Sequence, residues 1–186
     1  MIISFTGAQS TGKTTLLNIM HNSPAFRKWS FINEVTRKVA RKGHIINDIG
    51  DSLDVTQLFI INEHLKNHHL PGDVILDRCM LDGYIYTKYL HSKGKVNDWV
   101  YEYAENMLTI LLSKIDIIFY TDPRDVELHD DGTRSTNKQF RQDIINEYDN
   151  YLTKYRLCKD CNNLPDIINL QGDVPTRLHT ITRTLI

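Results

Sequence analysis

Residues Gly7–Thr14 read GAQSTGKT and match the pattern G-x-x-x-x-G-K-[ST]. Glycines at fixed places let the backbone adopt angles that a side chain forbids, so successive amide hydrogens can surround an anion. An apolar run, Ile2–Thr6, precedes the pattern and a helical pattern follows it, which is the context that such a loop needs. The segment is therefore predicted to bind the phosphates of a nucleoside triphosphate.

Side chains of this loop have separate predicted tasks. The ammonium group of Lys13 supplies a mobile positive charge to the β- and γ-phosphates, and the hydroxyl group of Thr14 can bind Mg²⁺. The helix that begins near Lys13 adds the positive end of its dipole. The residues of this segment that are expected to bind ATP are Gly7, Ala8, Gln9, Ser10, Thr11, Gly12, Lys13, Thr14 and Thr15.

An acid, Asp77, ends the apolar run Val74–Asp77, and a base, Arg78, follows it. The carboxyl end of a strand beside a phosphate loop is where a carboxylate can hold Mg²⁺. Asp77 is therefore predicted to be a second Mg²⁺ ligand and a catalytic residue. An ordinary polar strand end explains the same pair, and the sequence leaves both interpretations open.

Short apolar runs alternate with longer helical patterns along the chain, which predicts an α/β fold of the P-loop NTPase type. About five parallel strands with helices on both faces are expected, as in nucleoside and nucleotide kinases. The sequence shows no linker, so one domain is expected over residues 1–186. The predicted strands are Ile2–Thr6, Ser30–Asn33, Val74–Asp77, Ile115–Tyr120 and Ile167–Leu170.

Several helical features are also predicted. Capping boxes at Asp54–Gln57 and Thr136–Gln139 indicate two helix starts, and the first of these helices is expected to run to about His69. Four-residue spacing predicts two helical core faces. One consists of Trp99, Tyr103, Met107, Ile110 and Leu111, and the other of Phe140, Ile144, Tyr148 and Leu152.

Histidines and cysteines give weaker signals. His64 and His68 have a spacing that can bind a metal, but with His69 they are predicted to form a solvated, partly basic helix end. Cys158 and Cys161 form a CxxC pair without a second pair, so plain thiols are expected.

The composition excludes some classes of protein. The formal net charge of -1 and the pI of about 6.7 do not support general electrostatic binding of nucleic acid. No apolar run approaches the roughly 20 residues that span a bilayer, and no targeting segment is recognised. A cytoplasmic location is expected, in the host cytoplasm if a phage encodes the chain.

The order of four motifs resembles one group of proteins. These motifs are Gly7–Thr14, Glu34–Arg37, Asp77–Asp82 and, with Arg141, Asp131–Arg134. Together they resemble the AAA-domain kinases typified by the nicotinamide riboside kinase domain. Phage nucleotide kinases, thymidylate kinases and deoxynucleoside kinases are also similar. The resemblance implies a fold and a phosphoryl-transfer activity that cover most of the chain.

The resemblance implies an acceptor site. Glu34 is expected to be catalytic, accepting a proton from the acceptor hydroxyl or orienting that hydroxyl. Arg37 pairs with Glu34 or binds an acceptor phosphate, and Gln57 reads a base. Arg78 and Asp82 complete the predicted acceptor-binding residues. Both residues also have a structural interpretation. Glu34 could instead complement a helix dipole, and Gln57 could instead belong to a capping box.

The segment of residues 122–141 is expected to be a lid. It contains Pro123, Gly132 and charges of both signs. Arg134, as a catalytic and ATP-binding residue, and Arg141 are expected to reach the triphosphate when the lid closes, because a guanidinium binds two phosphate oxygens at once. A surface loop with ordinary ion pairs is the alternative. From the resemblance, residues 171–173 are expected to contact adenine through their backbone.

These expectations give a leading hypothesis and two alternatives. The leading one is a Mg²⁺-dependent kinase that transfers the γ-phosphoryl group of ATP to a nucleoside or a nucleoside monophosphate. A phage-type kinase of a hydroxymethylated base in DNA is the second. A switch or accessory ATPase, which binds ATP without an acceptor, is the third and belongs to another class.

Overall fold

A computed structural model describes residues 1–44, 53–125, 138–158 and 164–186. Five parallel strands form one sheet in the order β2-β3-β1-β4-β5. The strands are β1 (Ile2–Thr6), β2 (Ser30–Ile32), β3 (Val74–Asp77), β4 (Ile117–Thr121) and β5 (Asp166–Leu170). The predicted α/β fold with about five parallel strands is confirmed.

The helices of the described ranges connect these strands. They are α1 (Lys13–His21), α2 (Val35–Arg41), α3 (Asp54–Asn67), α4 (Met80–Ser92), α5 (Asp98–Leu112), α6 (Lys138–Cys158) and α7 (Val174–Leu185). Short 3-10 helices lie at Pro24–Phe26 and Pro123–Asp125. No helix in the described ranges has the length and apolarity needed to cross a membrane.

Alternate strand residues point to opposite faces of the sheet and pack into two separate cores. Val74 and Leu76 pack with residues of α4, α5 and α6, whereas Ile75 packs with residues of α1 and α7. Both faces are therefore covered by helices, as the nearly continuous apolar runs predicted.

The central strand, β1, determines where a ligand can bind. β1 pairs with β3 on one side and with β4 on the other, so the chain crosses outward in both directions from it. Such a switch in strand order opens a crevice at the carboxyl ends of the strands. The loop after β1 is Gly7–Gly12, so the predicted phosphate loop lies at this crevice.

Strand bounds differ from prediction by one or two residues. β1 and β3 have the predicted bounds, whereas β2 ends at Ile32 and β5 begins at Asp166. β4 begins at Ile117 because the preceding residues turn, and the amide of Asp116 donates to the carbonyl of Ile2.

The predicted capping box at Asp54 is wrong. Leu53 occupies the position before α3, and Asp54 is the first helical residue. Its carboxylate accepts a hydrogen bond from the amide of Asn97, at 2.8 Å, and so joins the beginning of α3 to the beginning of α5. α6 begins at Lys138, within the second predicted box, whose Thr136 and Asn137 lie outside the described residues.

Part of the predicted core face of α5 is also wrong. Trp99 and Ile110 are 55% and 53% exposed. The buried residues of this helix are Val100, Ala104, Met107, Leu108, Leu111 and Leu112. The predicted face of α6 is confirmed, since Ile144, Tyr148 and Leu152 are buried.

The histidine prediction is wrong for two of three residues. His64 and His68 are buried and only His69 is exposed. Burial lowers the pKa of His64 to about 3 and the pKa of His68 to about 4, so both rings are neutral near pH 7. The Nε2 atom of His68 accepts from the amide of Met80 at 3.2 Å, and its Nδ1 atom lies 3.1 Å from the carbonyl oxygen of Leu111. His68 therefore joins α4 to α5.

Candidate nucleotide and acceptor site

The phosphate loop has backbone angles that favour glycine at two positions. Gly7 has φ 134° and Gly12 has φ 84°, both in the range that a Cβ disfavours. A Cβ on Gly7 would lie 2.7 Å from Oγ1 of Thr121, so the end of β4 fills the space that a side chain would need. Ser10 also has a positive φ, at 54°. This sequence of angles is what allows consecutive amides to turn into one concavity.

Lys13 folds back over the loop. Its Nζ atom donates to the carbonyl oxygens of Gly7 and Ala8, at 2.9 and 2.6 Å, and to Oγ1 of Thr11 at 3.0 Å. The side chain is buried, whereas Thr14 and Thr15 at the start of α1 are exposed. A cation is thus held at the mouth of the loop, and two hydroxyl groups lie on its solvent side.

Arg177, on α7, ties the loop to its neighbours. Its guanidinium donates to the carbonyl oxygens of Thr11 at 2.8 Å, Asp122 at 3.1 Å and Gly172 at 2.8 Å. These carbonyls belong to the loops after β1, β4 and β5, and Arg177 is only 2% exposed. Sequence reasoning missed this residue, because nothing in the local sequence shows that an arginine on the last helix turns inward.

Arg141 contacts the other side of the loop. From α6 it donates through Nε to the carbonyl oxygen of Gln9 at 3.3 Å and through a terminal nitrogen to that of Pro123 at 3.2 Å. The structure thus places this predicted ATP-binding residue against the phosphate loop. Arg134, the other predicted lid arginine, lies outside the described residues.

Asp122, at the start of the loop after β4, is held by several hydrogen bonds. The Asp122 carboxylate, which is buried, accepts from Arg124, Asn169 and Gln171. These donors hold the pKa of Asp122 well below its usual range although burial alone would raise it. Asp122 is the first residue of the predicted lid, and most of the rest of that segment, residues 126–137, lies outside the described part of the chain.

The segment expected to contact adenine follows β5. Gln171 donates to Asp122 at 3.0 Å, and the side chain of Asp173 accepts from the amide of Thr176 to begin α7. Gly172, with φ 82°, presents its carbonyl to Arg177. These contacts fix the backbone of residues 171–173 next to the phosphate loop.

An acid–arginine network, made of Glu34, Arg78 and Asp82, lies beside the phosphate loop. Arg78 donates to Glu34 at 2.7 Å and to Asp82 at 2.6 Å, and its side chain is 5% exposed. The same guanidinium donates to the carbonyl oxygen of Gly7 at 3.1 Å. Because that carbonyl also accepts from Lys13, the network is in direct contact with the loop.

Electrostatics explain why Arg78 remains charged although it is buried. Burial opposes its charge, but Tyr86, Glu34 and Asp82 together raise its pKa well above the usual range. The guanidinium also lies over the ring of Tyr86, 5.5 Å from the ring centre. The hydroxyl group of Tyr86 in turn donates to Oε1 of Gln9, which connects the network to the phosphate loop a second time.

The carboxylate of Asp82 accepts hydrogen bonds from four residues. Its carboxylate accepts from Oγ1 of Thr6 at 2.7 Å, the hydroxyl of Tyr148 at 2.8 Å and the amide of Cys79 at 3.1 Å, besides Arg78. It was predicted to bind the acceptor, and that role stays a prediction. The contacts show that Asp82 positions Arg78 and begins α4, with Cys79 as the buried residue before the helix.

Glu34 lies between β2 and α2, and its side chain is 6% exposed. One carboxylate oxygen accepts from Arg78 and the other from Nε of Arg37 at 3.0 Å. Arg37 is 41% exposed, so its side chain reaches the surface of the crevice. The structure brings together Glu34, Arg37, Arg78 and Asp82, four of the five residues predicted to bind an acceptor.

Gln57 is the fifth of the predicted acceptor-binding residues. It is buried in α3, and its side-chain oxygen accepts from the hydroxyl group of Thr87 on α4 at 3.0 Å. Its carbonyl is therefore oriented by protein, and a contact with a base stays a prediction.

Asp77 ends β3 next to Phe5, one residue before Thr6 and the phosphate loop. Burial, with Glu34 nearby, raises the pKa of Asp77 to about 6. Its Oδ1 atom is buried without a hydrogen-bond partner in the described structure. A buried carboxylate oxygen without a donor is a suitable ligand for a hard cation such as Mg²⁺.

Residues 2–165 match the family described as AAA domain. This chain is a member of that family. The family match covers the four motifs on which the resemblance rests, and the resemblance to the kinase domain of NadR is confirmed by structural comparison.

Solved structures with this fold include nucleoside kinases. A deoxyadenosine kinase from M. mycoides with the products dCMP and a flexible dCDP bound has a TM-score of 0.68 and 15% identity, covering 100% of this chain and 98% of that one. NadR protein in complex with NR has a TM-score of 0.71 and 20% identity, covering 98% of this chain. NadR with NAD and AMP-PNP has a TM-score of 0.67 and 17% identity. At these identities the similarity establishes the fold.

The chain spans about half the length of NadR, since the two alignments cover 50% and 48% of that protein. No curated protein sequence has a significant match to the chain.

Proposed function

We propose that the chain is a kinase that uses Mg²⁺ and ATP to phosphorylate a hydroxyl group of a nucleoside. The observation that carries this proposal is the carboxylate of Glu34, held by Arg78, whose guanidinium also contacts the carbonyl of Gly7 in the phosphate loop. A nucleotide switch or simple ATPase has no need of a buried, oriented carboxylate at this place. The family membership and the structural relatives, which include a deoxyadenosine kinase, support the same class of reaction.

The transfer follows from the positions of these groups. Backbone amides of the phosphate loop bind the β- and γ-phosphates, and Lys13 moves from its carbonyl partners to their oxygens. A nucleoside hydroxyl next to Glu34 attacks the γ-phosphorus, the bond to the β-phosphate oxygen breaks, and ADP leaves. Glu34 accepts the hydroxyl proton as the new O–P bond forms.

Mg²⁺ fits the residues present. Asp77 offers a buried oxygen without a partner, and Thr14 offers an exposed hydroxyl at the start of α1. When bound, the ion neutralises charge on the phosphates of ATP. Arg141 lies against the phosphate loop, and with Arg134 it is proposed to add positive charge near the transferring group.

The charges of the site favour a neutral nucleoside over a monophosphate as the acceptor. Arg78 is buried in ion pairs with two carboxylates, and Arg37 is bound to Glu34. A phosphate on the acceptor would compete with these pairs and meet the negative charge of Glu34. A neutral hydroxyl needs none of these cations.

The test is ADP release with a panel of acceptors, namely nucleosides, nucleoside monophosphates, nicotinamide riboside and DNA with a hydroxymethylated base. Release that depends on a nucleoside is the expected result. Dependence on a monophosphate or on modified DNA would identify a different kinase, and unchanged release in every reaction would indicate an ATPase.

Glu34→Gln sharpens this test. We expect transfer to fall by about 10²- to 10⁴-fold, because the amide cannot accept the proton, while ATP binding is largely kept. Glu105→Gln, at an exposed position of α5, is the matched control and should leave transfer unchanged. An equal loss of ATP affinity in Glu34→Gln would place Glu34 in the metal site instead.

A further inference from the structure

Gln9, the third residue of the phosphate loop, has a buried side chain with one unused hydrogen-bond donor. The residue is 3% exposed, and its side-chain oxygen Oε1 accepts from the hydroxyl group of Tyr86 at 3.1 Å. Its amide nitrogen Nε2 is buried and has no hydrogen-bond partner within the described ranges of the chain. Because burial of an unpaired N–H group is unfavourable, this nitrogen indicates a ligand that supplies the missing acceptor.

The side chain of Gln9 lies on the side of the phosphate loop that contacts the acid–arginine network. Tyr86, which binds its tip, belongs to α4 and lies under the guanidinium of Arg78, with 5.5 Å between that group and the ring centre. The same guanidinium binds Glu34 at 2.7 Å and the carbonyl oxygen of Gly7 at 3.1 Å. Gln9 is thus connected, through Tyr86 and Arg78, to Glu34, where the acceptor hydroxyl is proposed to lie.

Both ends of Gln9 are held by the protein. Its main-chain carbonyl accepts from Nε of Arg141 at 3.3 Å, and the positive φ of 54° at Ser10 turns the backbone directly after it. Its side-chain tip is held by Tyr86. A donor that is fixed before the ligand binds loses little freedom on binding, which is the condition for effective electrostatic stabilisation of a reacting group.

The chemistry of this nitrogen selects an oxygen as its partner, because an amide nitrogen donates and does not accept. In phosphoryl transfer, negative charge spreads over the three equatorial oxygens of the transferred group, and a fixed neutral donor stabilises that charge. The hydrogen bond from Tyr86 to Oε1 polarises the amide and strengthens donation from Nε2. The attacking hydroxyl is a poorer partner, because a donor on its oxygen would withdraw the electron pair that attacks phosphorus. A γ-phosphoryl oxygen is therefore the partner that fits.

We propose that Nε2 of Gln9 donates a hydrogen bond to a γ-phosphoryl oxygen during transfer, with Tyr86 as the residue that positions the amide. This role rests on the proposed kinase function and adds a catalytic side chain to the phosphate loop. Gln9 exchanges no proton in this step. The bond from the nucleoside oxygen to phosphorus forms, the bond to the β-phosphate oxygen breaks, and Glu34 takes the hydroxyl proton, while Nε2 keeps both of its hydrogens.

Gln9→Met tests the donor, because methionine has a similar size but no N–H group. With ATP and the nucleoside that the acceptor panel identifies, we expect kcat to fall by about 10²-fold, as for loss of one transition-state donor. The KM of the nucleoside and the Kd of ATP should stay within about twofold. Gln142→Met, at an exposed glutamine of α6, is the matched control and should leave kcat unchanged. An unchanged circular dichroism spectrum checks that Gln9→Met folds.

The outcomes separate this role from the kinase function itself. A wild type that transfers phosphate while Gln9→Met keeps its full kcat overturns the role and leaves the kinase function intact. A rise in the KM of the nucleoside or in the Kd of ATP without a fall in kcat assigns Nε2 to substrate binding and also overturns it. A wild type that transfers phosphate to no acceptor defeats the kinase function and this role together.

Tyr86→Phe tests the positioning of the amide. The variant removes the hydroxyl group and keeps the ring beneath Arg78. We expect kcat to fall by about two- to tenfold, the effect of one neutral hydrogen bond. In the double variant of Gln9→Met with Tyr86→Phe, kcat should be no lower than in Gln9→Met alone, because the hydroxyl group acts through the amide. Multiplied losses in the double variant contradict this coupling, and an unchanged kcat in Tyr86→Phe contradicts the positioning role.

Discussion

The phosphate loop and the acid–arginine network lie in contact, yet they are built from different groups. The loop presents backbone amides, and its shape depends on two glycines and on the carbonyl contacts of Lys13, Arg141 and Arg177. The network instead consists of charged side chains, which bind one another, hydroxyl groups and two backbone groups. Substitutions in the loop should therefore affect ligand binding first, whereas substitutions in the network should affect folding as well.

Arg78→Met is expected to have the largest effect, because it removes the buried cation that pairs with both Glu34 and Asp82. Breaking a buried pair of this kind typically lowers the free energy of unfolding by about 3 to 5 kcal/mol. Urea denaturation measures this loss. Arg37→Met is the control, since Arg37 is 41% exposed and its pair with Glu34 should contribute less than about 1 kcal/mol. Equal losses in the two variants would contradict the inference that the buried ion pairs of the network stabilise the fold.

Lys13→Ala should have the opposite effect, with a large loss of phosphoryl transfer and a small loss of stability. We expect phosphoryl transfer to fall by about 10²- to 10³-fold or more, because charge at the β- and γ-phosphates is lost, while the unfolding midpoint changes little. Single-turnover kinetics and a denaturation curve on the same sample check both statements. Lys28→Ala, at an exposed lysine, is the control. Near-wild-type turnover in Lys13→Ala would defeat the assignment of the loop.

Asp77 connects the two regions and should give a pH effect. Its pKa of about 6 in the folded chain exceeds the value near 4 of an unfolded aspartate, so the folded state binds more protons between these values. Stability should therefore fall as pH rises from about 4 to about 6, by about 1 to 3 kcal/mol. Urea denaturation at a series of pH values measures the slope. Asp77→Asn should remove this part of the slope, and an unchanged profile would show that Asp77 is not the cause.

Arg177→Met is expected to have the smallest effect of the four. Loss of its three contacts should loosen the phosphate loop and raise the KM for ATP by about tenfold, with kcat and the KM for the acceptor nearly unchanged. Arg183→Met, an exposed arginine on the same helix, is the control. A fall in kcat without a change in KM would show that Arg177 acts on transfer rather than on the position of the loop.

These differences also explain what the sequence predicted. The phosphate loop was predicted because a fixed local motif encodes it, and the strands beside it were predicted from their apolar runs. The network was predicted as individual residues but not as a network, because Glu34 and Arg78 are 44 positions apart and meet only when β2 and β3 pair. The contacts of Tyr148 and Arg177 have no local signal at all.

The errors have physical causes too. On α5 two apolar stripes lie side by side, and spacing alone does not tell which one faces the sheet; the structure buries Val100 and Ala104 and exposes Trp99. Asp54 was interpreted as a cap because its side chain suits that place, but it binds Asn97 instead. Buried neutral histidines such as His68 depend on distant partners, here Met80 and Leu111.

The burial of Cys79 offers a natural reporter of motion. Cys79 follows Arg78 and directly precedes α4. Burial raises the pKa of its thiol to about 12, so the thiol should hardly react with thiol reagents while the beginning of α4 stays folded. After replacement of Cys158 and Cys161 by serine, the rate of alkylation at Cys79 would measure how often the start of α4 opens. Slower alkylation with a nucleotide bound would show that ligand binding at the crevice suppresses that opening.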